Sequence, residues 1–145
     1  MRGETVAPGP VQLVSDYGRA RSLLHGLKPG MRRCVPTELP ADYAWPSDAA
    51  RGYVLDGHPA IALYATAGSG HSAVWTMTTW QQPPILRAPT TTLRVGGRQV
   101  EAWTESGQIR QLAWRVGATR VWVTNTLRNE LTRGEMLALA KSCAA

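Results

Sequence analysis

The chain has 145 residues, 43% hydrophobic and 18% charged, a composition that describes a folded globular protein and excludes a disordered polymer. At this length it forms one domain and buries about two-thirds of the surface its unfolded chain would expose. The net charge is +6, and every basic residue except Lys28 and Lys141 is an arginine, whose planar fork suits phosphates and carboxylates.

Taken along the chain, the arginines are scattered, and Arg32-Arg33 is the one tight cluster. Solvated faces account for most of them, with an anionic partner as the alternative. Basic residues interleaved with aromatics on one face, the pattern of a nucleic-acid module, are missing. No run approaches the roughly 18 apolar residues of a membrane-spanning helix.

Residues 1–13 read as a flexible leader carrying Gly3, Pro8, Gly9 and Pro10, and residues 14–145 as one domain. The leader lacks the apolar core of a secretion signal. A cytoplasmic chain, or a piece whose targeting segment has been removed, would both look this way. "SDYGRARSLLHGLKPG" predicts a short helix from Asp16 to Leu27, stopped by Pro29 and Gly30 and weakened by Gly18 and Gly26. Pro36, Pro40 and Pro46 then make an extended or looping stretch.

Strand signals follow. Asp56-Gly57 between apolar runs predicts a hairpin, and "HSAVWTMTTWQ" alternates, with Ala73, Trp75 and Met77 on one face and Val74, Thr76 and Thr78 on the other. Pro83 and Pro84 cannot donate to a ladder, so this strand ends near Trp80. The proline-rich loop then carries the chain to a new strand restarted by Thr90, Thr91 and Thr92, with Ile85 and Leu86 tucking under the sheet edge as an anchor. Further hairpins are predicted at Gly96-Gly97 and at Gly117-Ala118. In the last pair, Val121 and Val123 share one face and Trp122 takes the other.

"LTRGEMLALAKSC" predicts the C-terminal helix. Thr132 is its N-cap, Glu135 completes a capping box, and Met136, Leu139, Ala140 and Cys143 form the face turned to the sheet. The expected fold is α+β: a single curved antiparallel sheet of six to seven strands in a meander, packed by this helix and by the short N-terminal one. Cys34 and Cys143 carry no CxxC or CxxH spacing and so give no support to a zinc site. Two buried thiols, or a disulfide in an oxidising compartment, both fit them.

"VWTMTTWQQPPILRAPTTTLRVGGRQVEAW" and "IRQLAWRVGATRVWVTNTLRNELTRGEMLALAKS", together with "CVPTELPADY", resemble the accessory domain appended after the catalytic domain of many actinobacterial LytR-CpsA-Psr proteins. The words that carry the resemblance include Trp80, Pro84-Ile85-Leu86, Gly97-Arg98, Trp114, Trp122, Asn125-Thr126-Leu127 and Met136, and it spans about residues 31–143. That family transfers phosphate-linked glycopolymers onto peptidoglycan in a separate, larger domain that this chain does not contain. The resemblance therefore implies an extracytoplasmic, cell-envelope setting without transferase activity. It also makes a Cys34–Cys143 bridge the more plausible pairing.

No constellation of catalytic residues, metal ligands or cofactor contacts stands out. Ser69, His71 and Asp56 could be combined into a nucleophilic triad, but "GSGHS" is no nucleophile elbow and reads as a hairpin loop. The same loop lacks the lysine and helix of a phosphate cradle. The unusual feature is six tryptophans beside no phenylalanine. Most should fill the core, leaving a few indoles to line a sugar- or lipid-binding face. The candidate binding residues are Trp75, Trp80 and Trp122 with the loop rim of Gln81, Gln82 and Arg87. The expected function is a non-catalytic binding domain contacting an anionic cell-wall polymer, a lipid-linked glycan or an envelope protein. A lipid carrier with an apolar groove is the alternative, and a small enzyme built around His58 or His71 is a further one.

Overall fold

The computed structural model describes residues 4–6, 13–15, 17–24 and 31–144. In chain order the elements are β1 (Glu4–Val6), β2 (Leu13–Ser15), α1 (Tyr17–Leu24), β3 (Val35–Pro36), β4 (Glu38–Pro40), β5 (Tyr43–Ala44), β6 (Ala50–Leu55) and β7 (His58–Ala67). They continue with β8 (Ser72–Thr78), β9 (Thr91–Val95), β10 (Arg98–Glu105), β11 (Gln108–Val116), β12 (Thr119–Thr124), α2 (Arg133–Ser142) and β13 (Cys143–Ala144).

The architecture is sheet-rich α+β, with a larger and less regular sheet than the sequence predicts. Among the described residues it has nine strands in the order β1-β9-β10-β11-β12-β8-β7-β5, with β6 also paired to β7. It is mixed rather than antiparallel, because β1 lies parallel to β9, placing Glu4 opposite Leu93 and Val6 opposite Val95. Part of the segment expected as a leader thus forms an edge strand. The remainder of residues 1–12 lies outside the described residues, as do Asp16 and residues 25–27 of the predicted first helix.

The single meander is also corrected. Two meanders, β6-β7-β8 and β9-β10-β11-β12, meet where β12 pairs with β8, Val121 opposite Met77 and Val123 opposite Trp75. The tight turns behave as their residues demand: Asp56 and Gly57 both have positive φ, as do Gly96 and Gly97, the geometry of a two-residue hairpin loop. The long proline-rich connection has no such constraint. It leaves β8 and reaches β9 on the far side of β12, β11 and β10.

Alternation along the strands splits the sheet into two faces. Ala73, Trp75, Met77, Leu93, Val95, Val100, Leu112, Trp114, Val121 and Val123 belong to the main core with α2. Thr132 caps α2, accepting from the Glu135 amide at 3.1 Å while the Glu135 carboxylate accepts from the Thr132 amide at 2.9 Å. The expected face of Met136, Leu139 and Ala140 is buried, and so are Leu137 and Ala138. The helix is covered on its far side as well, because it also contacts β3 and β4.

That outer layer is tied to the helix end covalently. Cys34 and Cys143 form a disulfide with Cα atoms 5.3 Å apart, across a sequence separation of 109 residues. Beside it, β13 pairs with β3, Cys143 opposite Pro36. No helix among the described residues is long and apolar enough to cross a membrane.

Candidate functional site

The proline-rich connection is a strap over the sheet face that α2 leaves open. The Thr90 amide donates to the Ala102 carbonyl, the Trp103 indole N–H donates to the Arg87 carbonyl at 3.0 Å, and the Gln111 amide donates to the Ile85 carbonyl. At the other end, the Gln81 side chain donates to the Ala118 carbonyl at 2.6 Å and accepts from Arg115 Nε at 3.0 Å. Proline suits such a segment, since it stiffens the chain and needs no ladder partner. Leu86 is the pin: it is buried against Ala113 and Trp122, with Leu55 and Trp103 at the margin. Ile85, expected as a second anchor, is 57% exposed, because the short helical turn Pro84–Leu86 directs only one of its side chains onto the sheet.

Six tryptophan and loop residues are candidates for binding, and the structure separates them, Gln81 being tied to Ala118 and Arg115 as above. Trp75 is a core residue at 2% exposure on the helix side, its N–H donating to the Cys34 carbonyl at 2.9 Å and its ring edge-on to Trp114. Trp122, at 4% exposure, lies under Leu86. Neither has a ring face to offer a ligand, because each faces a filled cluster. Trp80 is half-buried and stacks on His58, ring centroids 5.4 Å apart and nearly parallel. Gln82 and Arg87 stand exposed on the strap. Asp56 lies at one end of β7 and Ser69 just past the other, a span of about 30 Å for ten extended residues, so no triad assembles. His71 Nδ1 instead meets the Glu130 carboxylate at 2.6 Å.

Beside the Gln81 end of the strap lies the feature that best suits a ligand. A pocket of about 400 Å³ is lined by Thr92, Gln99, Glu101, Arg115 and Arg120, completed by Arg98, Ala113 and Trp114. Arg115 and Arg120 are direct cross-strand partners on β11 and β12. Like charges in that relation repel. One of the two has a carboxylate partner: the Glu101 side chain pairs with Arg120 Nη2. Arg120 is 3% exposed, and its Nε has no hydrogen-bond partner. A buried guanidinium donor left unpaired is costly, and a ligand oxygen would relieve that cost. Arg98 is engaged elsewhere, donating to the Ala140 carbonyl at 2.7 Å with its guanidinium over the Trp114 ring. Burial lowers its pKa below the ordinary arginine value.

Sequence reading missed this group, although a signal existed. A tight turn in "RVGATR" that pairs Val116 with Thr119 necessarily sets Arg115 opposite Arg120. The Glu101 contact lay beyond that reasoning, since it depends on β10 lying next to β11.

A second pocket, of about 450 Å³, opens between Asp42, Tyr43, Ser69, Glu130 and Glu135. Glu135 is held by the helix cap and Glu130 by His71. The helix side of the sheet is filled by fully buried side chains, Trp114, Leu112, Met136 and Leu137 among them, which gives an acyl-chain groove there no support. No protein-family model, curated protein or solved structure matches the chain.

Proposed function

We propose that this is a non-catalytic binding domain of the cell envelope, working outside the cytoplasm, that holds an anionic glycopolymer or lipid-linked glycan against the strapped face of its sheet. The observation that carries the reading is the cross-strand pair Arg115 and Arg120, opposed in an open pocket where one carboxylate, Glu101, pairs with Arg120. The net charge of +6 would draw a polyanion toward that face, and a low-salt medium would strengthen the attraction. A Cys34–Cys143 disulfide suits an oxidising compartment, in keeping with the accessory-domain resemblance. Trp80, Gln82 and Arg87 supply a strap rim along which a polymer could continue, and an envelope protein with an acidic surface is the competing partner.

The test is calorimetric titration with a purified anionic wall polymer at several salt concentrations. Binding that weakens as salt rises, and that Arg115→Gln diminishes, is the expected result. Absence of binding at low salt would overturn the reading.

A further inference from the structure

The pocket holds more detail than a general affinity for anions. Arginine offers five N–H donors and accepts nothing. On Arg120, Nη2 is occupied by Glu101 while Nε, on the same edge of the guanidinium, has no hydrogen-bond partner. On Arg115 the reverse holds: Nε is taken by Gln81, and the exposed terminal amino groups have no hydrogen bond among the described residues. Arg115, Arg120 and Glu101 together leave one positive charge, and Arg98 at the margin of the pocket adds a second, so the lining attracts an anion. Donors supplied by two neighbouring strands also suit a tetrahedral anion, whose oxygens point in several directions. A carboxylate is flat and pairs best with the two donors of one fork, whereas the free donors here belong to two different guanidinium groups.

We propose that the unit recognised here is a phosphodiester, seated between the open Nε edge of Arg120 and the terminal amino groups of Arg115, with Glu101 acting as an internal stand-in that competes for Arg120 while the site is empty. The proposal rests on the binding reading above and specifies its ligand. The pocket volume of about 400 Å³ exceeds what a phosphate group needs, leaving room for a flanking sugar or polyol. The exposed Gln99 amide and the Thr92 hydroxyl lie on the β10 and β9 side of the pocket, placed for the hydroxyls of that substituent. No bond is made or broken. The phosphodiester replaces one carboxylate contact and satisfies a buried donor that the protein leaves open.

The experiment is titration of the whole chain with glycerophosphoglycerol, a small phosphodiester, and in parallel with trigalacturonate, which is anionic only through carboxylates. Wild type should prefer the phosphodiester. Glu101→Gln should tighten phosphodiester binding about tenfold by removing the competitor, and Arg115→Gln should weaken it about tenfold with little change in melting temperature. Should Glu101→Gln not fold, Glu101→Asp, which withdraws the carboxylate by one methylene, is expected to tighten binding in the same direction. Equal binding of the two probes, no tightening in the folded Glu101 variant, or unchanged affinity in Arg115→Gln would each overturn this proposal. If the wall polymer still binds in a salt-dependent way, the general reading survives that failure. If neither probe nor polymer binds, both readings fall.

Discussion

The Asn125 side chain holds both main-chain groups of Leu131: Oδ1 accepts the Leu131 amide at 3.0 Å, and Nδ2 donates to the Leu131 carbonyl at 2.9 Å. The same side chain accepts the Thr126 amide and donates to the Ile109 carbonyl, and it is 2% exposed. One buried amide therefore closes the turn between β12 and α2 and ties it to β11. Asn125→Ala leaves those backbone groups unpaired, and the expected loss is about 3–5 kcal/mol in denaturant unfolding. Asn125→Asp should also destabilise, because a carboxylate accepts but cannot donate.

The disulfide constrains nearly the whole domain. Cross-linking across 109 residues is worth about 4–5 kcal/mol in the chain-entropy estimate, with measured values commonly lower. The double variant Cys34→Ser, Cys143→Ser should unfold at lower temperature and lower denaturant than the oxidised protein. Adding reductant to the wild type should reproduce the shift, and reductant should leave the double variant unaffected.

Leu86→Ala tests the strap. Removing a buried leucine costs about 2–5 kcal/mol where the site cannot collapse. The exposed neighbour Ile85 supplies the control, since Ile85→Ala should change stability by about 0.5 kcal/mol or less. Because Leu86 covers Trp122, the Leu86 variant should also shift tryptophan emission to longer wavelength.

Two core tryptophans differ in one hydrogen bond. Trp75 donates to the Cys34 carbonyl, whereas the buried Trp114 N–H has no partner. Phenylalanine at either position removes similar volume, but Trp75→Phe also orphans a carbonyl. It should cost about 1–2 kcal/mol more than Trp114→Phe, read from denaturation midpoints.

Tyr43 makes stability fall in alkali. Its pKa is raised by burial first and then by the carboxylates of Glu130, Glu135 and Asp42. The folded protein therefore binds that proton more tightly than the unfolded chain does. The contribution is full below a pH of about 10, where both states keep the proton, and is lost as pH rises through the folded value. Tyr43→Phe should flatten the loss of stability between about pH 9 and pH 11. Identical profiles for the two proteins would contradict this.

Local chemistry was legible in the chain. The Asp56-Gly57 and Gly96-Gly97 turns, the Thr132–Glu135 cap, and the alternation that turns Val121 and Val123 one way and Trp122 the other each depend on residues a few positions apart. Propensity, turn geometry and capping act over that range, so sequence alone determined these features. The position of β8 beside β12, the parallel β1 edge, the strap over Trp122 and the second cover on α2 were decided only by tertiary structure. Each joins segments separated by long connections whose course no local preference sets. The pocket shows the division most clearly. A hairpin places Arg115 opposite Arg120, but Glu101 and Gln81 reach them only after the sheet has assembled and the strap has closed over it.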